Sequence, residues 1–140
     1  MIIPCPGCGA KNRIPSTRLL QHPRCGQCKA AVIANAPVAV TSNAEFDEII
    51  QGSPLPIVVD FWAPWCAPCR VVAPELDKLA KSKSGSVLIV KVDTQANPEV
   101  AARFGIQSIP TFVRFDGGKE MRRASGAMSG AQLAAALQLR

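Results

Sequence analysis

Acidic side chains are absent from the first 35 residues, and so are aromatic ones. That segment carries Lys11, Arg13, Arg18, Arg24 and Lys29, a formal charge of +5 within a chain of net charge +6. Without rings on which bases can stack, and with five cations spread along 35 residues, it gives a weak signal for a nucleic-acid backbone. Long apolar runs are missing too. The longest, PIVVDFWAPW, is broken by Asp60 and by prolines well short of the roughly 18–20 residues a membrane helix needs, so no membrane partner is expected. The N-terminus MIIPCPGCGAK has no basic stretch followed by a hydrophobic one, and its first cysteine stands at position 5. This does not fit a cleaved secretory signal, and a cytoplasmic location is the expectation. Repeats, low-complexity tracts and glycine-rich phosphate loops are absent, and His22 is the only histidine. A chain of 140 residues that is 48% apolar suits one moderate core plus a small appended module.

Cysteine, by contrast, is plentiful, and the six residues divide as four plus two. Cys5 and Cys8 lie in CPGC, and Cys25 and Cys28 in CGQC sixteen residues further on. This spacing is that of a four-sulfur zinc site, because a tight C-x-x-C turn aims both thiolates of a pair at one ion. Gly7, Gly9 and Gly26 supply the backbone freedom such turns need. Four ligands close a tetrahedral shell, so the ion would be structural and His22 is not required as a ligand. Zinc with four thiolates carries a net charge of −2, which offsets part of the segment's basicity. So few large apolar residues would scarcely fold unaided, and metal binding would supply much of the stability. A composition shift places the boundary near residue 36, with a zinc-binding module over 1–35 and a second domain over 36–140.

The second domain alternates. VAV at 38–40 reads as a strand, and SNAEFDEII as a helix opened by a Ser42/Glu45 capping box and stopped at Gly52. PIVVDF and SVLIVKVD read as buried strands separated by a helix running from about Cys66 with Pro74 inside it. NPEVAARF predicts a short helix closed by Gly105, TFVRFD and KEMRRAS a hairpin around Gly117 and Gly118, and Ser129 the cap of a final helix. The class is α/β, with a mixed central sheet flanked by helices on both faces.

The remaining cysteines sit in WCAPC, where a buried strand hands over to a helix. With the zinc shell complete and no histidine to spare, Cys66 and Cys69 point to reversible thiol chemistry. Unpaired N–H groups and the helix dipole favour a thiolate at a helix start, and Pro68 is tolerated there because its missing N–H would have had no partner. A C-x-x-C cysteine in this setting falls below its ordinary pKa of about 8.5, which makes Cys66 the nucleophile and Cys69 the resolving thiol. Asp60, inside IVVDFW, has no route to solvent and should resist ionising, which suits a proton acceptor for Cys69. Lys91 on the next strand is its candidate partner. Trp62 and Trp65 flank the turn, one of them a candidate lip of a cleft.

WAPWCAPC, Asp60, Lys91 and GIQSIPT at 105–111 resemble the thioredoxin family over residues 38–140. With the four-cysteine segment in front, the chain resembles that family's zinc-containing bacterial branch, the thioredoxin 2 type. The resemblance implies a thioredoxin fold behind a zinc ribbon and a cytosolic protein-disulfide reductase. It implies a redox-active Cys66–Cys69 disulfide, no bound organic cofactor, and recharging by an NADPH-dependent flavoprotein, thioredoxin reductase. It also implies that Cys66 attacks, Cys69 resolves, and Asp60 and Lys91 form the buried pair beneath them. Pro110 after Ile109 matches the family's cis-proline, and Trp65, Ala67, Pro68, Gly126 and Ala127 match its substrate groove. A thiol pKa near 7 is the value of thioredoxins themselves, carried over here by resemblance. Ala67 departs from the usual glycine and bears on the reduction potential. Two other classes stay open at this point. One is a binding module whose ribbon grips nucleic acid or protein; the other is a disulfide oxidase or isomerase, which needs a more oxidising disulfide.

Overall fold

Alternation along each strand decides which helices it meets. The computed structural model describes residues 1–140. Its main sheet has five strands in the order β3 (Val38–Ala39), β5 (Leu88–Asp93), β4 (Ile57–Trp62), β6 (Thr111–Asp116) and β7 (Lys119–Ser125). The first three run parallel and the last two join antiparallel, so the sheet is mixed as the sequence predicts. Central β4 presents Ile57, Val59 and Phe61 to one apolar cluster, with Phe46, Ile49 and Ile50 of α1 (Asn43–Gly52). Its opposite face gives Val58 to a second cluster, with Val72 and Leu76 of α2 (Ala67–Ser82) and Leu133 of α4 (Gly130–Ala136). Asp60 and Trp62 follow Val58 at a spacing of two and therefore share the α2 face.

Local chemistry sets the element ends. Ser42 Oγ accepts the Glu45 N–H at 3.0 Å, while the Glu45 carboxylate reaches back one residue further than expected and accepts the Thr41 N–H at 2.9 Å. Ser129 and Gln132 form a complete reciprocal box at the start of α4. Gly117 and Gly118 have φ of 58° and 85°, the left-handed pair that a two-residue hairpin between β6 and β7 needs. Short helix α3 (Pro98–Arg103) starts on Pro98 and gives way to Gly105, whose φ is 61°.

The front segment holds more order than the sequence predicts. β1 (Ile2–Pro4) and β2 (Lys11–Arg13) form a small antiparallel hairpin, followed by a 3₁₀ turn at Ser16–Arg18. Met1, Ile3, Ile14 and Val32 are buried in the same cluster as Val38, Phe46 and Phe115, so the apolar core crosses the expected boundary near residue 36. Ser16 is fully buried against α1, where its N–H and hydroxyl both reach Glu48 Oε1, at 2.8 and 2.9 Å. The last turn of α1 comes so close that a side chain at Gly52 would run into Ser16 Oγ.

Candidate functional site

At the C-terminal end of β4 the chain turns into α2, and the turn carries WCAPC. Cys66 is the N-cap of α2; its Sγ lies 3.2 Å from the Cys69 backbone nitrogen, whose N–H points at it. Pro68 occupies the first turn, where an N–H is not needed. Cys66 and Cys69 are joined as a disulfide with their Cα atoms 5.3 Å apart. Both are buried with Ala63, and Trp62 and Ile109 pack against them. Trp65 is 68% exposed beside them, and Ala67 and Pro68 are exposed on the same turn.

The segment before β6 closes in from the opposite side. The Ile109–Pro110 peptide is cis, and the Ile109 carbonyl oxygen lies 3.8 Å from Cys66 Sγ. The Gly126 N–H donates to the Pro110 carbonyl at 2.9 Å with a φ of 95°, a conformation that glycine adopts without penalty. Of the groove residues expected from the sequence, Ile109, Pro110 and Gly126 are thus linked to the sulfurs through one chain of contacts. Trp65, Ala67 and Pro68 flank it, and Ala127 continues from Gly126 as open surface.

Asp60 is 1% exposed, and its Oδ1 has no hydrogen-bond partner. Burial pushes its carboxyl up from 3.8 to about 7, against the opposing pull of the Lys91 charge. Lys91 stands directly opposite Asp60 in the β4–β5 register, yet the two form no ion pair. Its ammonium lies 4.5 Å from the centre of the Trp62 ring. Trp62 as a seat for this lysine was missed in the sequence; its spacing of two from Asp60 on a strand was the available signal.

The four other cysteines bring their sulfurs within 4.8 Å of one another. Cys5 and Cys28 stand 3.5 Å apart and Cys8 and Cys25 3.6 Å, near the edge of about 3.8 Å expected of a tetrahedron with bonds of about 2.3 Å. The two pairs are built alike. Cys5 and Cys25 each donate an N–H to the carbonyl five residues on, at 2.8 Å, and Gly9 and Lys29 take equivalent positive φ values of 78° and 64°. Gly7 and Gln27 donate N–H groups to Cys5 and Cys25 Sγ at 3.3 and 3.4 Å. Backbone N–H groups of Cys28 and Gln27 hold the Cys25 thiol down to about 6, whereas Cys28, despite the Ala30 N–H, is pushed up to about 11 by the crowding sulfurs of Cys5 and Cys8, a crowding that a bound cation would relieve. His22 is exposed and outside the cluster. The donor set fits a thiolate-bound zinc ion.

Two sulfurs that close on each other at a helix start, beside open surface and on the same side of the sheet as a buried acid, can exchange electrons with a second disulfide. Fold and site therefore define a thiol–disulfide oxidoreductase. Comparison with known proteins narrows this. The family model described as Thioredoxin matches residues 37–139, and that described as Thioredoxin 2, N-terminal, matches residues 4–30. The chain is similar to Thioredoxin C-3 of Corynebacterium nephridii, 43% identical over 91% of this chain and 87% of that one. It is 45% identical to the Thioredoxin of Synechocystis over 69% of this chain and 91% of the relative. The Fasciola hepatica thioredoxin structure matches with a TM-score of 0.67 and 37% identity, over 72% of this chain and 96% of that one. The chain belongs to the thioredoxin family, in its zinc-containing type 2 branch, and is a protein-disulfide reductase. No helix is long and apolar enough to cross a membrane.

Proposed function

We propose that Cys66 is the attacking sulfur of this reductase and Cys69 the resolving one. The observation that carries the reading is the position of Cys66 at the N-cap of α2, where the Cys69 N–H points at its sulfur and the exposed Trp65 is its neighbour in the chain. In the reduced protein the Cys66 thiolate attacks one sulfur of a substrate disulfide, forming a mixed disulfide and expelling the other sulfur as a thiolate. Cys69 passes its proton to Asp60 and attacks Cys66, the substrate's second sulfur leaves, and the Cys66–Cys69 bond closes. Two electrons have then moved from enzyme to substrate. An acceptor that ionises near pH 7 is half available at neutrality, so the resolving step should quicken as pH rises through that value. Lys91 tunes Asp60 through space from its seat on Trp62.

Pro110 and its neighbour Ile109 present backbone beside Cys66 with which an extended substrate chain can pair, and Trp65, Ala67, Pro68, Gly126 and Ala127 form the shallow wall around it. Residues 1–35 serve as the zinc module and residues 36–140 as the reductase domain. One structural zinc ion would be held by Cys5, Cys8, Cys25 and Cys28 and supplies folding energy rather than redox chemistry. The protein works in the cytoplasm on disulfide-containing proteins, and thioredoxin reductase returns Cys66 and Cys69 to the dithiol. Cys66→Ser should abolish reduction of insulin disulfides, while Cys69→Ser should accumulate mixed disulfides visible by intact mass. Sustained turnover by the Cys66 variant would overturn the assignment.

A further inference from the structure

Cations that are scattered along the front segment converge in space. Arg13 from the end of β2, Arg18 from the 3₁₀ turn and Arg24 from just before the second cysteine pair line one pocket of about 220 Å³, with Gln21, Pro15 and Pro23. No carboxylate lines it. In the reductase domain three arginines are ion-paired, Arg103 to Asp47, Arg114 to Asp116 and Arg123 to Glu120. Arg13 and Arg18 form no ion pair, and Arg24 spends only one N–H, on the Lys29 carbonyl at 3.1 Å. The cysteine sulfurs take their N–H donors from Gly7, Gln27 and Cys69 rather than from these guanidinium groups.

The backbone that frames the pocket is held before any ligand arrives. Buried Ser16 locks the turn that bears Arg18 by holding the Glu48 carboxylate with both its N–H and its hydroxyl. Pro15 and Pro23 stiffen the chain on either side, so the ordering of backbone that weakens most surface sites is already in place. Guanidinium forks match the oxygens of a phosphoryl group, and a dianion neutralises converging positive charges that a single carboxylate would leave in excess.

We propose that the Arg13–Arg18–Arg24 pocket binds a phosphoryl group, carried by a free phosphate compound or by a nucleotide. The test is calorimetric titration of the zinc-loaded full chain with inorganic pyrophosphate, at constant ionic strength set by sodium chloride. Saturable one-to-one binding is expected, weakened at least tenfold in Arg13→Gln and in Arg18→Gln and unchanged in Arg122→Gln on exposed β7. Zinc content and insulin reduction should be unaltered in all three variants. ADP binding no tighter than pyrophosphate assigns recognition to the phosphoryl group alone, and tighter ADP binding assigns the nucleotide as the source. Heats that never saturate, or equal weakening by the β7 variant, would reduce the pocket to an unlocalised cationic field and overturn the proposal.

Discussion

Asp60 is the residue whose environment most changes its chemistry. It ionises near 3.8 when solvated and near 7 in the folded protein. Between those values the unfolded chain releases a proton that the folded chain keeps, so stability falls as pH rises from about 4 to 7 and stays lowered above it. Three units of displacement correspond to about 4 kcal/mol, from which an unpaired buried amide would subtract about 1–3 kcal/mol. Asp60→Asn is therefore expected to flatten the pH dependence and to exceed the parent protein by roughly 1–3 kcal/mol at pH 8. Urea unfolding of the oxidised form at pH 5 and pH 8 measures this. The same variant should slow resolution of the mixed disulfide and remove its rise through neutral pH. Asp60 was legible in the sequence because a carboxylate inside IVVDFW stands out by composition alone. The seat of Lys91 on Trp62 was not, since a one-dimensional reading pairs opposite charges and does not weigh a ring that competes for the cation. The cis bond before Pro110 reached the sequence reading only through family resemblance, because proline composition does not distinguish the two isomers.

At the scale of elements, every strand and helix from residue 38 onward was readable, most from a hydrophobic period with a chemical stop signal, exposed β7 from the Gly117–Gly118 turn before it, and short β3 from the apolar run VAV. Ser42, Ser129, Gly105 and the Gly117–Gly118 pair mark ends that the structure reproduces. The hairpin of β1 and β2 was not readable, since three-residue strands are too short to establish a period and their order comes from the cysteine turns around them. The caps should be measurable. Ser129→Ala removes the hydroxyl that accepts the Gln132 N–H at 3.1 Å and should lower stability by about 1 kcal/mol. Because α4 covers the face of the sheet that bears α2, Leu133 loses support as well, and thermal unfolding should register the change. A midpoint equal to the parent's would mean that tertiary packing alone holds the helix.

Over the whole molecule, charge and packing disagree about where one part ends and the next begins. Composition breaks near residue 36, whereas Met1, Ile3, Ile14 and Val32 pack into the cluster that also holds α1 and one face of the sheet. Each such side chain contributes about 1.5–3 kcal/mol when fully buried. Zinc removal by a chelator should consequently lower the unfolding midpoint of the reductase domain as well as melt residues 1–35, while leaving measurable insulin reduction, because Cys66 and Cys69 draw nothing from the metal site. Tryptophan fluorescence reports this domain specifically, since both indoles, Trp62 and Trp65, lie within it; a fluorescence transition unmoved by chelation would mean that the seam transmits no stability. The Ser16–Glu48 latch and the seam around it carry one more consequence, a colloidal one. A chain shortened by clean excision of residues 1–35 would present a fresh oily flank to water. Such a fragment is expected to scatter light and precipitate at concentrations where the complete chain stays clear, making the ribbon in part a coat that keeps its neighbour dispersed.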